Sequence, residues 1–306
     1  MKIHNKRIRA LLILLPAFFA LCGCGQKEDE TLPPLFDPLQ VLEPEAPGSK
    51  VLGSSPLLLD ISNISHGYIT AEADQDGKTK NVQLVSDTTG ITYSYFIQPG
   101  ENAVLPLTDG EGSYMVTCYQ QVEGSQYSAL FWDDIEVAFD NPFYPYLYPN
   151  QYVDFDENSE AVRLARSLLP DDATDVEGLD AIYDYVIGNV TYDENKAMTV
   201  EPGYLPNVDE TLKSGTGICF DYAALMTAML RGRDIPCRLV TGYAGTVKHA
   251  WIDVFIRSKG WVQQAISFDG EDWTRMDPTF ASVSTDDEFI RSYIGDGNNY
   301  AEQYAH

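Results

Sequence analysis

Cys219, His249 and Asp277 occur in that order, each where the local pattern closes one element and opens another. Cys219 follows Gly215 and Gly217, which interrupt regular structure, and precedes a run over 220–230 that carries almost no charge. The pattern predicts a tight loop that delivers the thiol to a helix N-terminus. There the first N–H groups lack intrahelical partners and the helix dipole is positive, so a thiol ionises more easily. A thiolate is both a carbon nucleophile and a metal ligand. A zinc set of Cys219, Cys237, His249 and Asp277 would lack the paired short spacing that such sites show. Cys237 sits in the strand-like run Ile-Pro-Cys-Arg-Leu-Val and reads as a core thiol; whether it can pair with Cys219 stays open at this level.

The elements that must position these groups follow from periodicity. Tyr222, Leu225, Met226, Met229 and Leu230 make the cysteine helix apolar on several faces, which predicts burial, with only Asp221 charged in its first turn. Arg231, Gly232 and Arg233 read as its close, the glycine taking a left-handed cap. Residues 237–243 read as a strand. From 249 to 257 the chain alternates, with Ala250, Ile252, Val254 and Ile256 on one face and His249, Trp251, Asp253 and Phe255 on the other, so His249 opens a strand. Short strands over 260–268 and 273–276, with a turn at Asp269-Gly270, lead to Asp277-Pro278. Upstream, residues 159–169 and 175–189 carry apolar residues at helical spacing; Asp175 is the expected cap of the second, without a full capping box. A last helix is expected over 284–294 and an edge strand within 295–304.

The first half has another character. Residues 1–23 hold Lys2, Lys6, Arg7 and Arg9, then an apolar run and no acidic residue, the pattern of a signal peptide. Leu21-Cys22-Gly23-Cys24 resembles a bacterial lipoprotein box, with Cys24 as the lipid attachment site. Removing this leader takes the net charge from -26 to -30, because it carries four positive and no negative side chains. So acidic a chain repels nucleic acid and anionic lipid head groups, which leaves the lipid as the membrane contact. Residues 24–55 read as a Pro- and Glu-rich tether. Residues 56–141 carry short alternating runs separated by Asp76-Gly77, Pro99-Gly100 and Asp109-Gly110, the pattern of an antiparallel sandwich, immunoglobulin-like in a loose sense, with Cys118 in its core and no ligand constellation evident. Residues 142–158 form a connector rich in Pro and Tyr, whose aromatics suit packing between two domains. The remainder, 159–306, is the α+β domain that holds the three candidate residues.

Gly217-Ile-Cys219-Phe-Asp-Tyr-Ala223, Gly242-Tyr243, His249-Ala-Trp251 and Asp277-Pro-Thr279 together resemble the core of the transglutaminase-like superfamily, over roughly 159–281. The segment Val190-Thr-Tyr192-Asp193 resembles the one that precedes the nucleophile there. The resemblance implies a papain/transglutaminase-like cysteine-enzyme core. It assigns Cys219 as nucleophile, His249 as base and Asp277 as the residue that orients the imidazole. The Cys219 N–H would supply one oxyanion donor, with Tyr192 and Tyr204 as candidates for a second. The spacing of 28 from His249 to Asp277 exceeds a simple hairpin, and the extra hairpin over 265–273 accounts for it.

The expected protein is therefore an exported lipoprotein, extracytoplasmic and anchored to the bacterial membrane, that acts on protein or peptide amides through a thioester. Hydrolysis is favoured over transfer to an amine. The reaction so read uses no cofactor or metal, and no nucleic acid partner is expected. The rival reading is a surface binding protein that retains the fold without catalysis; an inaccessible or unactivated Cys219 would favour it.

Overall fold

The computed structural model describes residues 39–263, 266–268, 273–275 and 300–306. Cys24, Asp277 and the helix expected over 284–294 lie outside the described residues. No helix among the described residues is long and apolar enough to cross a membrane.

The N-terminal half contains β1 (Val51–Ser54), β2 (Leu57–Asp60), β3 (Tyr68–Ala73), β4 (Lys80–Ser86), β5 (Thr92–Ile97), β6 (Asn102–Pro106), β7 (Gly112–Glu123) and β8 (Gln126–Val137). They form two antiparallel four-stranded sheets, ordered β1-β2-β3-β6 and β5-β4-β7-β8. Their inward residues, among them Leu59, Ile69, Val82, Tyr95, Leu105 and Val116, share one core. The alternating runs 68–73 and 92–97 coincide with β3 and β5, and over β5 every second residue turns inward. The Tyr114 hydroxyl at the start of β7 donates back to Gly110 O (2.8 Å), the corner that immunoglobulin-type sandwiches use. Cys118 is buried in this core, which pushes its thiol up to about 12.

Two sequence expectations change here. The stretch read as a tether is ordered at its end: Gly48 N–H donates to Asp60, Glu45 N–H to the Tyr68 hydroxyl (2.9 Å), and β1 pairs with β2. The runs 128–132 and 135–139 read as two strands in the sequence, whereas the structure joins 126–137 into the single strand β8. Asp133 and Asp134 do not interrupt it because β8 is an edge strand and both side chains are exposed.

The C-terminal half contains α1 (Glu160–Leu168), α2 (Asp175–Asn189), β9 (Thr191–Tyr192), α3 (Glu194–Thr199), α4 (Val208–Ser214), β10 (Thr216–Gly217) and α5 (Cys219–Arg231). Then follow β11 (Cys237–Ala244), β12 (Val247–Ile256), β13 (Gly260–Val262), β14 (Ile266–Phe268), β15 (Trp273–Arg275) and β16 (Tyr300–Ala305). A sheet ordered β13-β12-β11-β16 packs on α5, and β14 pairs with β15 as the extra hairpin. From Asp221 to Arg231 every residue of α5 is buried, as the all-round apolar pattern predicts. Leu225, Met229, Leu239, Ile252 and Val254 meet in the core beneath it.

Three terminal devices differ from expectation. Thr174, not Asp175, caps α2, in a capping box with Glu177: Thr174 Oγ1 accepts from Glu177 N–H and the Glu177 carboxylate accepts from Thr174 N–H. Asp175 instead pairs with Arg257, accepting from its guanidinium and its backbone N–H. Gly232 is right-handed (φ -63°), and the left-handed residue of this turn is Asp234 (φ 61°). Glycine at 232 suits the close packing there, since a Cβ would stand 3.0 Å from Val162 Cγ1 of α1.

The connector aromatics tie the halves together. The Tyr146 hydroxyl donates to Thr108 O (2.9 Å), and the Arg238 guanidinium lies over the Trp261 ring at 3.9 Å and the Tyr146 ring at 4.6 Å. Arg231, at the end of α5, is fully buried; its guanidinium donates to Tyr148 O, Cys237 O and His306 O. Burial pulls its pKa down to about 10, so it stays charged at neutral pH.

Candidate active site

Cys219 is the first residue of α5, as expected, and the chain reaches it through two glycines with different tasks. Gly215 caps α4 in the left-handed conformation (φ 63°), with its N–H on Thr211 O. Gly217 lies in β10, which runs parallel to β9 and pairs Gly217 with Tyr192. A Cβ on Gly217 would stand 2.7 Å from Asp221 Cβ, so glycine here lets the first turn of α5 close on its own approach strand.

That first turn is held by Asp221. Its carboxylate, 0% exposed, accepts from Ile218 N–H (2.8 Å), Lys196 Nζ (2.7 Å) and the Tyr204 hydroxyl (2.5 Å). Lys196 also donates to the Tyr204 oxygen (2.7 Å). Burial opposes the charge on Lys196, but its bonds to Asp221 and Tyr204 outweigh that and hold its pKa above the usual lysine range. Burial, followed by the Asp221 carboxylate, raises the pKa of Tyr204. The network staples α3 and the 200–205 loop to the helix that carries Cys219. It also changes the reading of Tyr204: its single hydroxyl proton goes to Asp221, so it is not placed as an oxyanion donor.

His249 is the third residue of β12, opposite Gly242 of β11, and is 8% exposed. Its ring lies near Trp251 (centroids 6.3 Å apart) and Tyr300 (6.2 Å). Gly242 makes room for the strand beside it: a Cβ there would stand 2.1 Å from Ala301 O of β16.

Cys219 and His249 line one cleft of about 530 Å³. Tyr192, Val200 and Tyr204 form one wall, Ile218, Cys219 and Phe220 the floor, and Gly242, His249 and Tyr304 the other side. Cys219 is half-buried, whereas Cys118 and Cys237 are buried; all three are free thiols. Cys237 touches Thr227 Oγ1 (3.5 Å), and burial pushes its thiol up to about 12. The described cysteines thus divide into two buried thiols and one at a helix N-terminus, in the cleft that His249 also lines. The first-turn N–H groups of α5 face the same region and can stabilise an oxyanion formed on a carbonyl attacked there. Asp277, the third expected member, lies outside the described residues. Among the described residues no group of three or more His, Cys, Asp or Glu is arranged to hold a metal ion.

The residues that sequence reasoning missed are Lys196, Asp221 in its stapling role, and Gln303 and Tyr304, which β16 brings to the cleft mouth. Asp221 left one signal, a lone charge in a helix otherwise apolar all round.

Residues 162–278, which supply most of the cleft's lining, match the family model of the transglutaminase-like superfamily. Among curated proteins, the uncharacterized protein YebA of Bacillus subtilis (strain 168) is 28% identical over 138 residues, 38% of this chain; the chain spans 19% of that relative's length. Among solved structures, a proposed cysteine protease from Cytophaga hutchinsonii aligns with TM-score 0.38 and 16% identity, covering 78% of this chain and 79% of that one. Red sea bream transglutaminase aligns with TM-score 0.31 and 13% identity, covering 72% and 54%.

Proposed function

We propose that this is an exported lipoprotein, anchored through Cys24, whose Cys219, His249 and Asp277 act as a triad on protein or peptide amides. The observation that carries the reading is the placement of the one half-open thiol among the described cysteines, at the N-terminus of a buried helix and in the same cleft as His249. The Cys219 thiolate attacks the amide carbonyl carbon, and the oxyanion is held by first-turn N–H groups. The tetrahedral intermediate expels the amine, which takes its proton from the His249 imidazolium, and leaves a thioester. A nucleophile then gives a proton to His249 and attacks the thioester, releasing product and restoring the thiol. Asp277, on the far imidazole nitrogen, would fix the tautomer.

Water as that nucleophile makes the protein a peptidase or amidase. We favour it because Cys219 opens to solvent, where water prevails unless an amine is concentrated at the site. The test is turnover of a peptide-amide library, with and without a primary amine, by wild type, Cys219→Ala and His249→Ala. Hydrolysis lost in both variants is expected. Amine incorporation that exceeds hydrolysis would overturn the preference for water, and no turnover with either acceptor would favour a non-catalytic binding protein.

A further inference from the structure

The cleft does not end at Tyr204. Gly203 and Tyr204 also line a second hollow of about 580 Å³, whose far wall is the sandwich, with Ser94, Phe96, Gln98 and Tyr127. Ser94, Phe96 and Tyr127 in turn line a third, of about 600 Å³, which runs across the outer face of β5-β4-β7 over Asn81, Gln83 and Tyr119. The three hollows thus follow one another through shared lining residues, from Cys219 by way of the 203–205 loop to the sandwich.

Register explains its lining. Phe96, Asn81 and Tyr119 face one another across β5, β4 and β7, and the next row outward places Ser94, Gln83, Thr117 and Trp132 in line. Phe96 and Tyr127 stand 6.2 Å apart, ring to ring. Phe96 is 45% and Trp132 74% exposed, so this face shows large rings to solvent with amides and hydroxyls between them. In the two sandwich hollows Glu101 is the one charged residue, in a chain that carries -26 overall.

Rings separated by neutral amides and hydroxyls suit a ligand with apolar faces and many hydroxyl groups. They do not suit a phosphate or nucleic acid, which needs cations. An extended peptide is held chiefly through main-chain bonds to a strand edge. Here two carbonyls of β5 are taken by side chains: Phe96 O accepts from Gln151 Nε2 (2.8 Å) and Tyr95 O from Asn81 Nδ2 (3.1 Å). We propose that the outer face of β5-β4-β7-β8, centred on Phe96 and Tyr127, binds an uncharged oligosaccharide, and that a ligand so held runs past the 203–205 loop to the catalytic cleft. Resting on the amide-cleaving reading, this makes the substrate class a saccharide that bears an amide-linked peptide or acyl group.

The test separates binding from turnover. Cys219→Ala protein without the leader is titrated calorimetrically with a β-1,4-linked glucose tetrasaccharide, its N-acetylglucosamine counterpart and an uncharged decapeptide. The same titrations are made in the Phe96→Ala and Tyr127→Ala backgrounds, with circular dichroism to show that each variant is folded. Saturable binding of a tetrasaccharide below about 1 mM, weakened at least about tenfold in both folded variants, is the expected result. No saccharide binding up to about 5 mM, binding unchanged by either variant, or binding of the peptide alone would overturn the proposal. Because the titrated protein lacks the thiol, failure here says nothing about catalysis, and failure of turnover says nothing about this face.

Discussion

Asp221 offers a perturbation whose size follows from geometry. Its side chain is 0% exposed and accepts three hydrogen bonds, whereas the side chain of its partner Lys196 is 30% exposed. Truncation to alanine leaves the Ile218 N–H buried without an acceptor, which costs about 1–3 kcal/mol. Lys196 and Tyr204 lie near enough to solvent to turn to water, so their loss adds about 1 kcal/mol together. Asp221→Ala should therefore destabilise the core by about 3 kcal/mol, a fall in melting temperature of roughly 6–12 °C for a domain of this size. Asp221→Asn keeps an oxygen on Ile218 N–H and should cost about half as much. Lys196→Met leaves a buried carboxylate without its counter-charge and should cost about as much as the alanine variant. In the double variant Lys196→Met/Asp221→Asn the buried group is neutral, so the costs should fall short of additivity by about 1 kcal/mol or more. Urea denaturation followed by fluorescence reads all four. Additivity within about 0.5 kcal/mol, or an alanine variant within about 1 kcal/mol of wild type, would refute the coupled staple.

Further outcomes follow from the same contacts. His306 is fully buried among Tyr93, Tyr95, Tyr152 and Tyr304; burial, then Arg231, pushes its pKa down to about 3 from an ordinary 6.5. Between those values the unfolded chain binds a proton that the folded chain does not. His306 therefore contributes full stability above about pH 6.5, and this falls by about 1.4 kcal/mol per unit as pH drops towards 3; His306→Phe should flatten that slope in denaturation measured at pH 7 and 5. Gly242→Ala should push β16 off β11, because its Cβ would stand 2.1 Å from Ala301 O; a fall in amide-exchange protection over 300–305 checks this. Arg231→Met strands the carbonyls of Tyr148, Cys237 and His306 and should cost about 3 kcal/mol or more in urea denaturation.

Much of this was legible locally. Short alternating runs located β3 and β5 to the residue, and the uncharged run after Cys219 predicted a buried helix with the thiol at its start. What escaped depends on partners distant in sequence. β1 is a short, exposed edge strand whose existence rests on β2, so Val51–Ser54 carries no pattern of its own. The handedness at Gly232 was misjudged because α1, not a turn, selects the glycine. Lys196 joins Asp221 across 25 residues, and no periodicity marks such a pair. The outer sandwich face escaped because its rings lie on β5, β7 and β8 and become a platform only once the four strands of that sheet are in register.

The central claim is that His249 activates Cys219. Iodoacetamide modification, measured against pH on protein without the leader and located by peptide mass spectrometry, tests it most directly in wild type and His249→Ala. Cys118 and Cys237 should stay unmodified in the folded protein, since burial pushes both thiols up to about 12. The account predicts fast modification of Cys219 at pH 7 in wild type and a reaction at least about tenfold slower at that pH once His249 is removed. A slow reaction with the same pH profile in both proteins would contradict it.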